Sequence, residues 1–298
     1  MSLRAVITHT PTPPVSAPPW LPDNVCYETL MGSVAYAVSN DTSDSDVYGI
    51  CLPPKELVFP HLAGEIPGFG RQRKRFESWQ QHHIRALDKQ WDFQIYGIVM
   101  FFHLAMENNP NIIDAMFTPR RCVLSSTQVG EYIREHRRDF LHRGSWHKFK
   151  GYAYSQLNKI KTKQQDPTST RVWMTGSDGV AYDVKFAYHV VRLLLEVEMI
   201  LGEHDLDLER HAAQLRTIRA GAWTLDQLTA WAEAKEHDLE RAYAASTLPY
   251  GPDEVLLKRH LMHCLEAHYG DLSAAVQLPG AEAELLYQIA ALTRRYAR

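Results

Sequence analysis

Gly32-Ser33, followed by Ser43-Asp44-Ser45-Asp46, is the combination of residue types whose spacing most clearly points to chemistry. Positions i and i+2 of an extended segment share a face, so Asp44 and Asp46 would present two carboxylates about 7 Å apart along the chain. Two such groups sit together when a cation neutralises them. Carboxylate oxygens are hard ligands that, with water and substrate phosphates, suit Mg²⁺ better than Zn²⁺, which prefers His or Cys. An Asp-x-Asp pair also occurs in ordinary exposed turns, so the pair gains weight from its neighbour. A Gly-Ser bend offers unobstructed backbone N–H groups and a hydroxyl, a small concave donor set that receives phosphate.

Further donors lie at helical spacing. Lys185, His189 and Arg192 are at i, i+4 and i+7, which puts them on one polar face while Val184, Val191 and Leu195 supply packing. That face is either solvated or a set of phosphate-compatible donors. Between Arg120 and Lys163 eleven Lys and Arg face three acids, Glu131, Glu135 and Asp139, with Trp146, Tyr152 and Tyr154 interleaved. Such a belt fits strand binding by charge neutralisation and base stacking, and equally an ordinary basic surface. His82-His83 reads as structural, because neighbours on a strand point to opposite faces and no third ligand is spaced to join them.

The elements that must position these groups divide the chain into unlike halves. Asp23 to Met31 reads as a short helix, Asp46 to Leu52 as a strand closed by Pro53-Pro54, and Trp91 to Tyr96 as a second strand of alternating pattern. Residues 61–75, rich in Gly and ending in basic residues, read as a connection or hairpin loop. Ile98 to Ala105 changes to a helical period, and Ile112 to Phe117 follows as a short helix. Val184 to Leu201, Thr224 to Thr247, Asp253 to Tyr269 and Gly280 to Tyr296 are helical. The expected fold class is therefore α+β, with an extended Pro-rich leader at 1–22 outside the fold, a catalytic domain at 23–120 and a helical domain at 121–298.

Composition bounds the function. The 298 residues are 45% hydrophobic and carry a formal net charge of -3, enough for a real core and incompatible with a globally basic nucleic-acid coat. Cys26, Cys51, Cys122 and Cys264 form no CxxC pair and no dense disulfide framework, which suggests a reducing, cytoplasmic setting. The longest apolar stretch, Ile95 to Met106, is broken by Gly97 and His103 and falls short of the roughly 20 residues that span a bilayer, so no membrane partner is expected.

The motif pair resembles the signature of the polymerase-beta nucleotidyltransferase superfamily, and most closely its RNA-repair-associated branch, whose motifs look like GSxAYG and SDxDxRG. This chain reads GSVAYA and SDSDVYG, keeping Ala35, Tyr36, Ser43, Asp44, Asp46 and Gly49 but carrying Ala37 for Gly and Tyr48 for Arg. The similarity continues through Asp92-Phe-Gln-Ile-Tyr and Asn109-Pro-Asn and covers roughly residues 28–270. The resemblance implies a mixed sheet with flanking helices followed by a helical domain. It also implies Asp92 as the third catalytic and metal-binding acid beside Asp44 and Asp46, in preference to Asp88. Gly32 and Ser33 would bind nucleotide phosphates, with Lys185, His189 and Arg192 as further nucleotide contacts. The implied activity is Mg²⁺-dependent or Mn²⁺-dependent transfer of NMP from an NTP to a hydroxyl, an RNA 3′ end or other single-stranded RNA foremost, with release of pyrophosphate. Protein and small-molecule hydroxyls stay open as acceptors. So does a catalytically silent nucleotide-binding protein, which the departures at Ala37 and Tyr48 motivate.

Overall fold

A computed structural model describes residues 1–9, 11–39, 45–59, 64–66, 68–70, 75–162, 173–175 and 181–270. Five strands, β1 (Val25–Leu30), β2 (Ser45–Cys51), β3 (Ser78–Ala86), β4 (Lys89–Gly97) and β5 (Val123–Ser126), form one mixed sheet in the order β3-β4-β2-β1-β5. β2 and β4 are parallel; the other neighbours are antiparallel. A separate two-stranded ribbon joins β6 (Trp173–Thr175) to β7 (Ala181–Asp183). The short helices are α1 (Leu3–Ile7), α2 (Leu21–Asn24) and α3 (Lys55–Val58). Packed against the sheet come α4 (Ile98–Met106), α5 (Pro110–Phe117) and α6 (Gln128–Glu135). The chain then continues through α7 (Ser145–Thr162), α8 (Val184–Glu203), α9 (Ala212–Arg219), α10 (Leu225–Ala245) and α11 (Glu254–Tyr269). This is the α+β architecture expected, with a helical second half.

Strict alternation in β4 sorts its side chains. Trp91, Phe93 and Ile95 are buried on one face, while Asp92, Gln94 and Tyr96 are half-buried on the other. The first face packs with Val47, Ile84 and three residues from the chain start, Leu3, Val6 and Leu21, each fully buried. The leader at 1–22 is expected to lie outside the fold, but its Leu3, Val6, Thr12 and Leu21 are part of it: the Leu3 backbone N–H donates to Glu28 Oε1 at 2.7 Å, and Thr12 bridges Arg85. The apolar pair in α1 covers sheet surface that would otherwise face water.

The opposite face of the sheet carries the larger core, which runs from Tyr27 and Ile50 through Phe101 and Ile113 into Val190 and Leu194. β1 replaces the helix expected over Asp23 to Met31. Its Val, Cys, Tyr and Thr sit between β2 and β5 and are paired on both sides, so sheet packing overrides any local helical preference. Capping defines the helices near the cleft. Asn109 caps α5, with Pro110 at its first turn, and Asp183 Oδ1 accepts the Lys185 N–H at 2.9 Å to start α8. The helix expected over Gly280 to Tyr296 lies outside the described residues, as does most of the 61–75 connection. Among the described residues no helix is long and apolar enough to cross a membrane.

Candidate active site

Asp46 and Asp92 are register partners on the parallel pair β2 and β4. In-register residues of neighbouring strands share a face, so the two carboxylates stand side by side about 4.8 Å apart at their backbones. Asp92 Oδ1 accepts the His83 backbone N–H at 2.7 Å, and Oδ2 lies 3.4 Å from His82 Nδ1. A bulge in β3 between Gln81 and Ile84, with His83 at φ 60°, produces this contact. Asp88, the competing acid, instead occupies the hairpin tip between β3 and β4 at φ 56°. Asp44 and Ser43 lie outside the described residues.

Gly32 meets Asp46 directly. The Met31 N–H donates to the Asp46 carbonyl at 2.8 Å, Gly32 then turns at φ 63°, and a Cβ placed on it would collide with Asp46 Oδ2. Only glycine satisfies both the left-handed backbone and the close approach. The next residues wind into a turn, with Ala35 N–H donating to Gly32 O at 3.1 Å and Val38 N–H to Ser33 O at 2.9 Å. The N–H groups of Gly32, Ser33 and Val34 have no protein acceptor among the described residues. Three arginines bond carbonyls of this turn: Arg121 Nη2 bonds Val34 O at 2.9 Å, Arg216 Nη1 bonds Ala37 O at 2.9 Å, and Arg219 Nη1 bonds Val38 O at 2.8 Å.

The aspartates, Gly32 and Ser33 open into a cleft of about 740 Å³ whose other wall comes from α8 and α9. Lys185, His189 and Arg192 all line it, together with Arg216 and Arg219. Their situations differ. Lys185 is exposed, His189 is half-buried and Arg192 is buried. Burial pushes the His189 imidazole well below its ordinary pKa, and the positive charges of Arg192, Lys185, Arg219 and Lys159 push it the same way. Arg192 is already engaged: Nη1 donates to Tyr36 Oη at 2.7 Å and to Glu196 at 2.9 and 3.0 Å, and also reaches Asp114 Oδ2. Tyr36 Oη donates to the same Asp114 oxygen at 2.6 Å. One guanidinium thus serves two buried carboxyls, and desolvation pushes both Asp114 and Glu196 upward while Arg192 pulls them down.

A family model for the RNA repair pathway DNA polymerase beta family matches residues 8–248. The chain belongs to that family. A comparison with curated protein sequences finds no match. Among solved structures, a nucleotidyltransferase-like protein from Exiguobacterium sibiricum 255-15 is similar at 11% identity over 82% of this chain and 69% of that one, with a TM-score of 0.28.

Membership in the RNA repair pathway DNA polymerase beta family makes the chain a nucleotidyltransferase. Its two departures from the resembled motifs have visible consequences. Ala37 occupies the left-handed region at φ 52°, a conformation that glycine adopts more readily, so the turn keeps its path with a strained residue. Tyr48 follows Asp46 on the cleft face, 6.0 Å between ring centroids from Tyr96; burial first, then Tyr96 and Asp46, push its hydroxyl upward, so it stays neutral.

Sequence reasoning missed the α9 arginines. Their signal is present: from Arg210 to Leu225 there are three arginines and no acid. It also set His82 aside, although His82 lines the cleft beside Asp92. Of the eleven Lys and Arg in the belt at 120–163, five meet a carboxylate among the described residues. Arg120 pairs with Glu131, Arg121 with Glu209, Arg138 with Asp205, Lys148 with Glu107 and Lys150 with Glu236. Arg134 spans Tyr27 Oη and the Thr118 carbonyl, at 2.8 and 2.9 Å.

Proposed function

We propose that this nucleotidyltransferase transfers NMP from an NTP to a hydroxyl, foremost an RNA 3′ end, and releases pyrophosphate. The observation that carries the reading is the apposition of Asp46 and Asp92 in register, with Gly32 directly against Asp46, in a cleft also lined by cations. Support for RNA as acceptor comes from the family's description as an RNA repair pathway family, and not from the belt at 120–163.

Among the described residues no cluster of three or more His, Cys, Asp or Glu is arranged to hold a metal. The two carboxylates that are described, hard oxygen donors on adjacent strands, fit a divalent cation such as Mg²⁺ or Mn²⁺, and Asp44 is the third residue proposed for the set. Asp44, Asp46 and Asp92 would hold it; when bound, such an ion supplies charge neutralisation at the phosphates and makes an acceptor hydroxyl more acidic. The chain's own groups do the rest. The N–H groups of Gly32, Ser33 and Val34 receive phosphate oxygens and fix the leaving group. The acceptor oxygen bonds to the α-phosphorus, the bond from that phosphorus to the oxygen bridging the β-phosphate breaks, and pyrophosphate carries that electron pair away. The hydroxyl proton passes to water or to a carboxylate of the pair. Positioning and electrostatics carry such a reaction, with no covalent enzyme intermediate required.

Each α-labelled NTP, offered with Mg²⁺ or Mn²⁺ to single-stranded RNA, to the protein itself and to small hydroxyl compounds, tests the reading. Label at an RNA 3′ end supports it. Label only on protein or small molecules corrects the acceptor, and NTP binding with no pyrophosphate released from any mixture leaves a silent nucleotide-binding protein.

A further inference from the structure

Many cations of the chain are spent on its own acids: Arg120, Arg121, Arg138 and Arg210 each meet a carboxylate, and on the cleft wall Arg192 meets two. Lys185, Arg216 and Arg219 are different. All three line the cleft, and none has a carboxylate partner among the described residues. Arg216 and Arg219, three residues apart on α9, each use one Nη1 on a carbonyl of the Gly32–Ser33 turn, at Ala37 and Val38. A guanidinium has five N–H donors, so each retains donors after that bond. Beside them on the cleft wall stands His189, its imidazole pushed toward the neutral form first by burial and then by the surrounding cations, Arg219 among them. At position 48, where the resembled motif carries arginine, Tyr48 supplies no cation.

Resting on the nucleotidyl-transfer reading, we propose that Arg216 and Arg219 bind the β- and γ-phosphates of the incoming triphosphate and, through the carbonyls of Ala37 and Val38, hold the Gly32–Ser33 turn in the shape that receives them. Arginine suits both tasks, because its planar fork grips phosphate oxygens and a carbonyl together, whereas lysine offers a single charged point. A triphosphate is favoured over a nucleic-acid backbone by position. The arginines bond carbonyls of the same turn whose Gly32 and Ser33 line the cleft, and a volume of about 740 Å³ matches a small-molecule site. Occupancy by triphosphate and order of the turn are then one event.

The test is calorimetric titration of the full chain, wild type and variants, with the four NTPs, inorganic tripolyphosphate, the matching NMPs and a single-stranded oligoribonucleotide without a triphosphate. Arg216→Gln and Arg219→Gln are each expected to weaken NTP and tripolyphosphate binding at least tenfold, and the double variant over a hundredfold. NMP affinity should move less than threefold. Arg216→Lys and Arg219→Lys, which keep the charge, should fall between and serve where a Gln variant unfolds. Variants that bind triphosphate like the wild type overturn the proposal, as does equal loss of NMP and NTP, or a loss confined to the oligoribonucleotide. Failure of the underlying reading looks different: tripolyphosphate would still depend on the two arginines while no labelled nucleotide is transferred.

Discussion

Asp46 and Asp92 are register partners across the parallel strands β2 and β4, with Gly32 packed against the first and His82 against the second. Two carboxylates from segments forty-six residues apart are thus held by backbone pairing rather than by loops, which fixes their separation and leaves little freedom to adjust.

Gly32→Ala is expected to be far worse than its size suggests. The new Cβ would strike Asp46 Oδ2 while the backbone stays at φ 63°, where an L-residue costs about 1–2 kcal/mol before any clash is counted. Urea unfolding should show a loss of about 1–3 kcal/mol, and nucleotide transfer per folded molecule should fall at least about tenfold. Gly151→Ala is the control, because it lies within α7 with nothing inside 4 Å of its Cβ position. It should stabilise by up to about 1 kcal/mol.

Ala37→Gly should move the other way. Relief of the left-handed strain at φ 52° outweighs the extra freedom glycine gives the unfolded chain, for a net gain of about 0.5–1 kcal/mol in urea unfolding. Because Arg216 still bonds the carbonyl at position 37, transfer activity should be kept.

Arg192→Leu should be a folding lesion before it is a binding one. Removing the single cation leaves Asp114 and Glu196 buried together without compensation, a change that typically costs about 3–5 kcal/mol. The unfolding midpoint should drop sharply. By contrast, Lys185→Gln, at an exposed position without an ion pair among the described residues, should leave it within about 0.5 kcal/mol.

His189 predicts a pH signature. Its folded-state pKa lies well below the ordinary value of about 6.5, so the unfolded chain binds more protons as pH falls through that value and the His189 contribution to stability declines. Asp114 and Glu196, shifted upward, act in the opposite sense, so the comparison must be between variants. The stability advantage of wild type over His189→Gln should shrink as pH is lowered from about 7 to about 5. A proton-detected titration of the His189 ring should place its pKa higher once tripolyphosphate is added, since an anion offsets the surrounding cations.

What the sequence disclosed follows from how local each feature is. β4 and the strand half of β2 declare themselves through alternation, and α8 and α10 through their period and caps, so Asp46 and the Lys185–His189–Arg192 face could be located directly. The partnership of Asp46 with Asp92 is a register between distant strands that no local pattern encodes; family resemblance alone suggested it. β1 was hidden because its strand character depends on two neighbours, and the chain start because Leu3 and Val6, a lone apolar pair ahead of a Pro-rich stretch, carry little signal until a sheet face is there to cover. That Arg192 is occupied while Arg216 and Arg219 are available is a matter of which acids lie nearby in space. The acid-free run from Arg210 to Leu225 was its single trace in the sequence.

The central claim is that the Asp46–Asp92 pair is the catalytic centre of nucleotidyl transfer. Single-turnover incorporation of α-labelled nucleotide, measured for wild type, Asp46→Asn and Asp92→Asn under conditions where all three are shown folded by urea unfolding, tests it most directly. The expected result is a fall of at least about a thousandfold in both variants, with unfolding midpoints near that of the wild type. Incorporation within about tenfold of wild type in both would contradict it and move the chemistry elsewhere in the molecule.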